Sequence, residues 1–268
     1  MRFKNPTLDQ RALVRQPALT LALGYALSLT LALGGLGCED EPKKEPRAKP
    51  ADAPPPAASA RPKADVAPIL EIDTISPKVG FERALLQHPE GKAQLTTLLA
   101  DAKRWIEGKD VVVIIDRKTK VPWVATYLDE LGKVGPSKIT IRTDTRKEFS
   151  QDQRFIPEAK VQAPPCSVVA MVTSDYSTAV WKLSGGTAGK RSKGMAGPDL
   201  SMTGDTIERF AKGCKESSTF FVSVAEGIEW GLAFDLAASS RVLEHAKFDS
   251  SVLLNEIPTA GQKVNLKR

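Results

Sequence analysis

His88 and His245 are the only imidazoles in 268 residues, and neither has a nucleophile close to it in sequence. Nucleophilic catalysis needs a base beside the attacking group. His88 falls in a polar connection and His245 near the end of a predicted helix, so both are read as surface residues. Two carboxylates, Asp116 and Asp235, border or interrupt apolar runs. Either would need a pocket that perturbs its pKa to act as an acid, and a strand-end Asp is ordinarily a turn or cap residue. The segment Gly185–Lys190, GGTAGK, suggests a phosphate loop but is one residue short, and Arg191 stands where Ser or Thr should bind magnesium. A flexible loop is the expectation there. Lys190, Arg191 and Lys193 form a basic cluster that could meet anionic lipid or cell-wall carboxylates, against the plainer reading of a solvated loop. No catalytic or metal constellation emerges, no cofactor is expected, and the chain is read as a non-enzyme.

The remaining chemistry belongs to sulfur. Of three cysteines, Cys38 closes an uncharged Leu- and Ala-rich run, Pro17–Gly37, which follows the basic residues Arg2, Lys4, Arg11 and Arg15. This resembles a bacterial lipoprotein signal, in which the Cys is lipidated as the first residue of the mature chain, although Gly35 stands where Leu is usual. The run is also long enough to be a retained membrane helix. Either reading places the remainder outside the cytoplasm. Cys166 and Cys214 are then an even pair in an oxidising compartment, so a disulfide between them is expected, with two buried thiols as the alternative.

Composition narrows the partners. The net charge is +6, but residues 1–66 hold 10 Lys+Arg and 7 Asp+Glu, leaving 28 and 25 for the rest. Opposite charges are interspersed there, which argues against a nucleic-acid footprint. Residues 39–68 are dominated by Pro, Ala and Lys around Pro54-Pro55-Pro56 and are expected to be an extended or disordered linker.

The elements that would position these residues follow from periodicity. In Asp110–Thr143, five apolar residues precede Asp116, and Val124, Tyr127, Leu128 and Leu131 then mark one helical face. Gly132 and Gly135-Pro136 end that helix, and Ile139 and Ile141 alternate with polar residues as a strand. This is a βαβ unit with parallel strands. Upstream, Ile69–Ile72 and Val79–Phe81 read as short strands and Thr96–Ile106 as a helix. Residues 146–165 are polar, end in Pro164-Pro165 and read as an inter-domain connection. Beyond it come strands at 166–171 and 177–183, a Gly- and Lys-rich loop at 184–201 and a helix whose N-terminus is suggested by Asp205 and Glu208. A strand at 219–224, a helix at 228–242 and a strand at 250–254 follow, with a polar, peripheral tail at 257–268.

The halves match each other. Val111–Trp123 overlays Ser218–Trp230 without a gap, bringing Trp123 over Trp230 and Tyr127 over Phe234. Element order agrees, pointing to an internal duplication. The two Trp read as packing anchors, with partner binding as the other role.

The strand ending in Asp116, the Val121-Pro122-Trp123 helix start, the Gly135–Lys138 connection and the final strand Ile139–Thr143 resemble the periplasmic domain of the ExbD/TolR biopolymer-transport family. The resemblance covers residues 69–145 and reaches 166–256 through the repeat, where Ser223 replaces the strand-end Asp. It implies an α/β (α+β) fold of two tandem domains, 69–145 and 166–256, each with two helices on a small mixed sheet. It also implies envelope transport proteins or peptidoglycan as partners, and a homodimer. The family's motor members carry an acidic residue in an N-terminal membrane helix, and none occurs between Pro17 and Gly37. The expectation is therefore a binding or scaffold protein tethered in the envelope of a Gram-negative-type bacterium and facing the periplasm. Asp116, Trp123, Trp230, Lys190, Arg191 and Lys193 are its candidate partner-binding residues. The alternative is a transport stator subunit with a retained N-terminal helix. Cells fed radioactive fatty acid separate the two: label on the chain, lost in Cys38→Ala, is expected, and an unlabelled full-length chain identifies the retained helix.

Overall fold

In strand β4 (Asp110–Ile115), Val111, Val113 and Ile115 point inward while Val112 and Ile114 remain exposed, the period-two pattern of a sheet with one open face. The computed structural model describes residues 66–214 and 218–266, all within one compact unit spanning 62–268. Cys38, the apolar run and nearly all of the Pro-rich segment lie outside the described residues, and no described helix is long and apolar enough to cross a membrane.

The first half opens with an antiparallel meander of β1 (Leu70–Ile72), β2 (Pro77–Val79) and β3 (Glu82–Arg83). Helices α1 (Gly91–Asp101) and α2 (Lys103–Ile106) follow, broken at Ala102, where one continuous helix is expected from the sequence. β4 then pairs in parallel with β1 and with β5 (Lys138–Arg142), across helix α3 (Val121–Val134). Pro122 sits in the first turn of α3, where a missing N–H costs nothing, and Gly135 ends it in the left-handed conformation at φ 89°.

The second half repeats this plan. β7 (Val168–Val172), β8 (Thr178–Lys182) and β9 (Gly189–Arg191) form the meander. The small hairpin β10 (Lys193–Gly194) and β11 (Gly197–Pro198) leads into α4 (Leu200–Ala211). β12 (Thr219–Val224), α5 (Trp230–Arg241) and β13 (Ser250–Leu253) complete it, with β12 parallel to both β7 and β13. The segment expected to be a loop at 184–201 thus contains three short strands and the start of α4. That helix begins before Asp205 because Asp199 caps it, its carboxylate accepting from Met202 N at 3.0 Å.

The halves do not form two separate sheets. β6 (Asp152–Phe155) lies inside the predicted inter-domain connection, and it pairs antiparallel with β5 and parallel with β13. One eleven-stranded sheet results, ordered β3-β2-β1-β4-β5-β6-β13-β12-β7-β8-β9. Its order reads the same outward from β6 in both directions, and the parallel strands of the two halves run oppositely. Gln153 and Phe155 face inward while Asp152 and Arg154 face solvent, so three of the four residues are polar and the strand resembles a linker in sequence.

Hydrogen bonds also correct the register of the repeat. Asp116 N bonds to Ile72 O as Ala225 N does to Val172 O, and Thr119 N bonds to Asp116 O as Ile228 N does to Ala225 O. Lys120 therefore corresponds to Glu229 and Val121 to Trp230, two residues away from the overlay of Trp123 on Trp230. A slip of two leaves every strand residue on its original face, so strand pattern cannot detect it.

The tail is not peripheral. Val264 N bonds to Leu183 O and Gly186 N to Gly261 O, and the Trp181 indole donates to Gln262 O at 2.9 Å. Ala260, Val264 and Leu266, with Val161 and Ala163, pack on a second cluster containing Val169, Trp181, Phe221 and Val252. Both faces of the sheet are thereby buried in the second half, whereas the first half keeps one face open.

The halves interlock where the loops before α3 and α5 meet. Lys120 and Glu229 form an antiparallel bridge, Trp230 N bonds to Thr119 O and Gly231 N to Arg117 O. Trp230 is fully buried against Phe155 and Phe234, and its indole donates to Thr143 Oγ1 at 2.9 Å. Arg117 donates two bonds, of 2.9 and 2.8 Å, to Asp235 on α5, which raises the guanidinium pKa above its ordinary value. Thr145 Oγ1 adds a third at 2.6 Å. A Cβ at Gly231 would stand 3.0 Å from the Arg117 side chain, so glycine admits that approach.

Trp230→Ala is expected to cost about 3–5 kcal/mol, read from urea unfolding; a cost below about 1 kcal/mol would show that the seam is not a packed interior. Arg117→Ala leaves the buried Asp235 carboxylate only Thr145 and the more distant Arg146, 3.9 Å away, and is expected to cost about 3 kcal/mol, the low end for a broken buried pair. In the double-mutant cycle with Asp235→Ala, coupling of at least about 1 kcal/mol is expected, and additivity contradicts the ion pair.

Candidate functional site

The candidate residues do not converge. Asp116 is exposed at the end of β4, and its Oδ1 accepts from Lys118 N at 2.7 Å, a turn-stabilising bond. Trp123, at the start of α3, is half-buried with Lys120 Nζ 4.9 Å from its ring centroid. Trp230 offers no surface at all: it belongs to the seam between the halves, and a partner-binding role for it is withdrawn. His88 and His245 are both exposed, His245 holding its backbone N–H against Glu208 Oε1. Asp235, the other candidate acid, is committed to Arg117.

Cys166 and Cys214 form a disulfide across a sequence separation of 48. It ties the chain just before β7 to the turn that follows α4. A loop of this length limits the unfolded chain by about 4 kcal/mol in the chain-entropy description.

The basic cluster is divided by strand geometry. Lys190 and Arg191 are neighbours in β9, so their side chains leave on opposite faces. Arg191 lies over α4, donating from Nε to Thr206 Oγ1 at 2.8 Å, while Lys190 and, in β10, Lys193 are exposed. GGTAGK itself spans the turn between β8 and β9. Strand rather than helix follows it, so the strand–loop–helix arrangement of a phosphate loop is not formed.

The open face of the first half is a charged ladder around an apolar strip. Lys78 pairs with Asp73 at 2.9 Å and Glu71 at 3.3 Å, Arg83 with Asp73 at 2.8 Å, and Arg142 with Asp152 at 2.8 Å. Burial acts to raise the Asp73 pKa but is outweighed by Lys78, the Ser76 and Ile75 amides and Arg83, which hold it well below the usual carboxylate range. Between these pairs Val112 and Ile114 remain 45% and 43% exposed.

Two residues that periodicity passed over border a hollow of about 550 Å³: Lys182, ending β8, and Arg209, in the last turn of α4, with the Gly185–Gly189 loop as its rim. They are 27 positions apart, and only the packing of α4 on β8 brings them to one rim. The glycine-rich turn was the one sequence signal nearby. Among the described residues no group of three His, Cys, Asp or Glu is placed to hold a metal ion. No family model matches the chain, and comparison with curated proteins and with solved structures returns no significant match.

Proposed function

We propose that this chain is a membrane-tethered, periplasm-facing protein of the cell envelope, a binding or scaffold component built from two ExbD/TolR-like units. The observation that carries the reading is the repeat: each half is a three-stranded meander, a helical segment, a strand, a helix and a strand, with the same pairings and directions. The resemblance in Asp110–Thr143 then extends to both halves. The disulfide suits an exported, oxidising compartment. The family's dimer has a counterpart here within one chain, since the halves share a single sheet through β6. With the intramembrane acid missing from Pro17–Gly37, the module recognises rather than drives: it holds envelope transport proteins or peptidoglycan at the end of its Pro-rich segment. Asp116, Trp123, Lys190, Arg191 and Lys193 are the exposed or half-exposed positions available for those contacts.

The full chain, crosslinked in intact envelopes and purified under denaturing conditions, is expected to carry a transport-system membrane protein or cell-wall fragments. Recovery of neither, with the chain itself well crosslinked, overturns the proposal.

A further inference from the structure

We infer that the groove between β8, the Gly185–Gly189 loop and the C-terminal end of α4 is a binding site for a phosphomonoester dianion. This goes beyond the envelope role and does not rest on it. The groove has two connected parts. A hollow of about 550 Å³ is bordered by Lys182, Arg209, Phe210 and the loop, and one of about 250 Å³ shares Lys182, Arg209 and Phe210 and adds Gly213. Two full cations therefore face the same space, and among the described residues no carboxylate lines it. Neither cation has an ion-pair partner among the described residues, unlike Lys78, Arg83, Arg117 and Arg142 elsewhere on this surface.

The loop is shaped to let these charges approach its backbone. Gly185 and Gly186 have φ of 88° and 125°, open to glycine and strained for other residues. A Cβ at Gly189 would stand 2.7 Å from Thr206 Cγ2 and 3.2 Å from Arg209 Nη2, and one at Gly213 would stand 3.7 Å from Lys182 Nζ. Glycine at 189 thus lets α4 and Arg209 close on the turn, whereas at Gly213 a Cβ would meet Lys182 only at ordinary contact distance. Gly185 N and Gly186 N are spent on Lys182 O and Gly261 O, whereas Thr187 and Ala188 donate no backbone bond to the described residues. Thr187 N, in the exposed part of the loop, is accordingly left for a ligand, whereas Ala188 N lies toward Gly261 of the tail.

Charge and shape select the ligand. The C-terminal end of α4 attracts cations, but it offsets only about half a charge. A phosphomonoester carries about −1.5 to −2 at neutral pH and presents three acceptor oxygens. It can take a forked pair of bonds from Arg209, a further bond from Lys182 and one from a loop amide. A carboxylate or phosphodiester brings a single charge and leaves one cation uncompensated.

The test uses the full chain, 15N-labelled in detergent micelles, titrated with sodium phosphate at about pH 7.5, where the dianion predominates, with ionic strength held constant by chloride. Saturable shifts of the Gly185, Gly186, Thr187, Ala188 and Gly189 amides are expected. Lys182→Gln/Arg209→Gln should weaken phosphate at least about tenfold, the loss of charge-assisted hydrogen bonds, while resonances of the seam around Trp230 stay in place. Should the double variant misfold, Lys182→Met, which keeps the packing stem, must show the weakening alone. Dimethyl phosphate and acetate, both monoanions, are expected to bind at least about tenfold more weakly. Non-saturating shifts, equal affinity in a folded variant, or a monoanion that matches phosphate would each overturn the assignment.

Discussion

Strand β6 is the constraint on which the remaining architecture depends. Each half alone would end in an exposed edge, β5 in one and β13 in the other, with a row of unpaired backbone donors and acceptors. Such edges invite pairing with another chain. Four residues from the connecting segment fill the gap, and because β6 runs antiparallel to β5 but parallel to β13 it reverses the direction of one half against the other. That reversal accounts for the palindromic strand order. Phe155 of β6 lies on the inward face, and Trp230 and Phe234 close over it.

The seam above β6 uses two kinds of contact. Apolar packing around Trp230 supplies the area removed from water. The Arg117–Asp235 pair, with Thr145, supplies direction. A nearly buried carboxylate is costly unless its acceptors are filled, so Asp235 tolerates few placements of α5 against the loop after β4. Gly231 lets the arginine lie flat at that point.

The two halves differ most in what covers them. In the second, the tail and the segment after β6 shield the outward face, and β12 is accordingly buried at every position but its first. In the first, that face is open and carries paired charges. One strand plan tolerates this difference because sheet pairing depends on backbone groups, whereas the outward side chains answer only to their cover. The same freedom placed Lys182 and Arg209 beside a glycine turn in one half only.

Much of the local structure was legible in the sequence. The apolar run before Asp116, the helical spacing of Val124, Tyr127, Leu128 and Leu131, and the alternation around Ile139 and Ile141 mark β4, α3 and β5. The Cys166–Cys214 pairing and the existence of a repeat were legible as well. These are short-range or counting signals, set by backbone geometry and by which side of an element must be dry. What the tertiary structure alone decided is how distant segments satisfy one another. A polar linker became the central strand because two sheet edges needed it, and a polar tail became a cover because Trp181 and Phe221 needed one. Trp230 packs in the interior as its anchor reading expects, but between the halves and matched to Val121, because hydrogen bonds, which strand patterns with a period of two cannot register, set the repeat two residues away. The basic groove formed because α4 packs across β8. Pairing partners and burial depend on the whole chain, so no window of the sequence contains them.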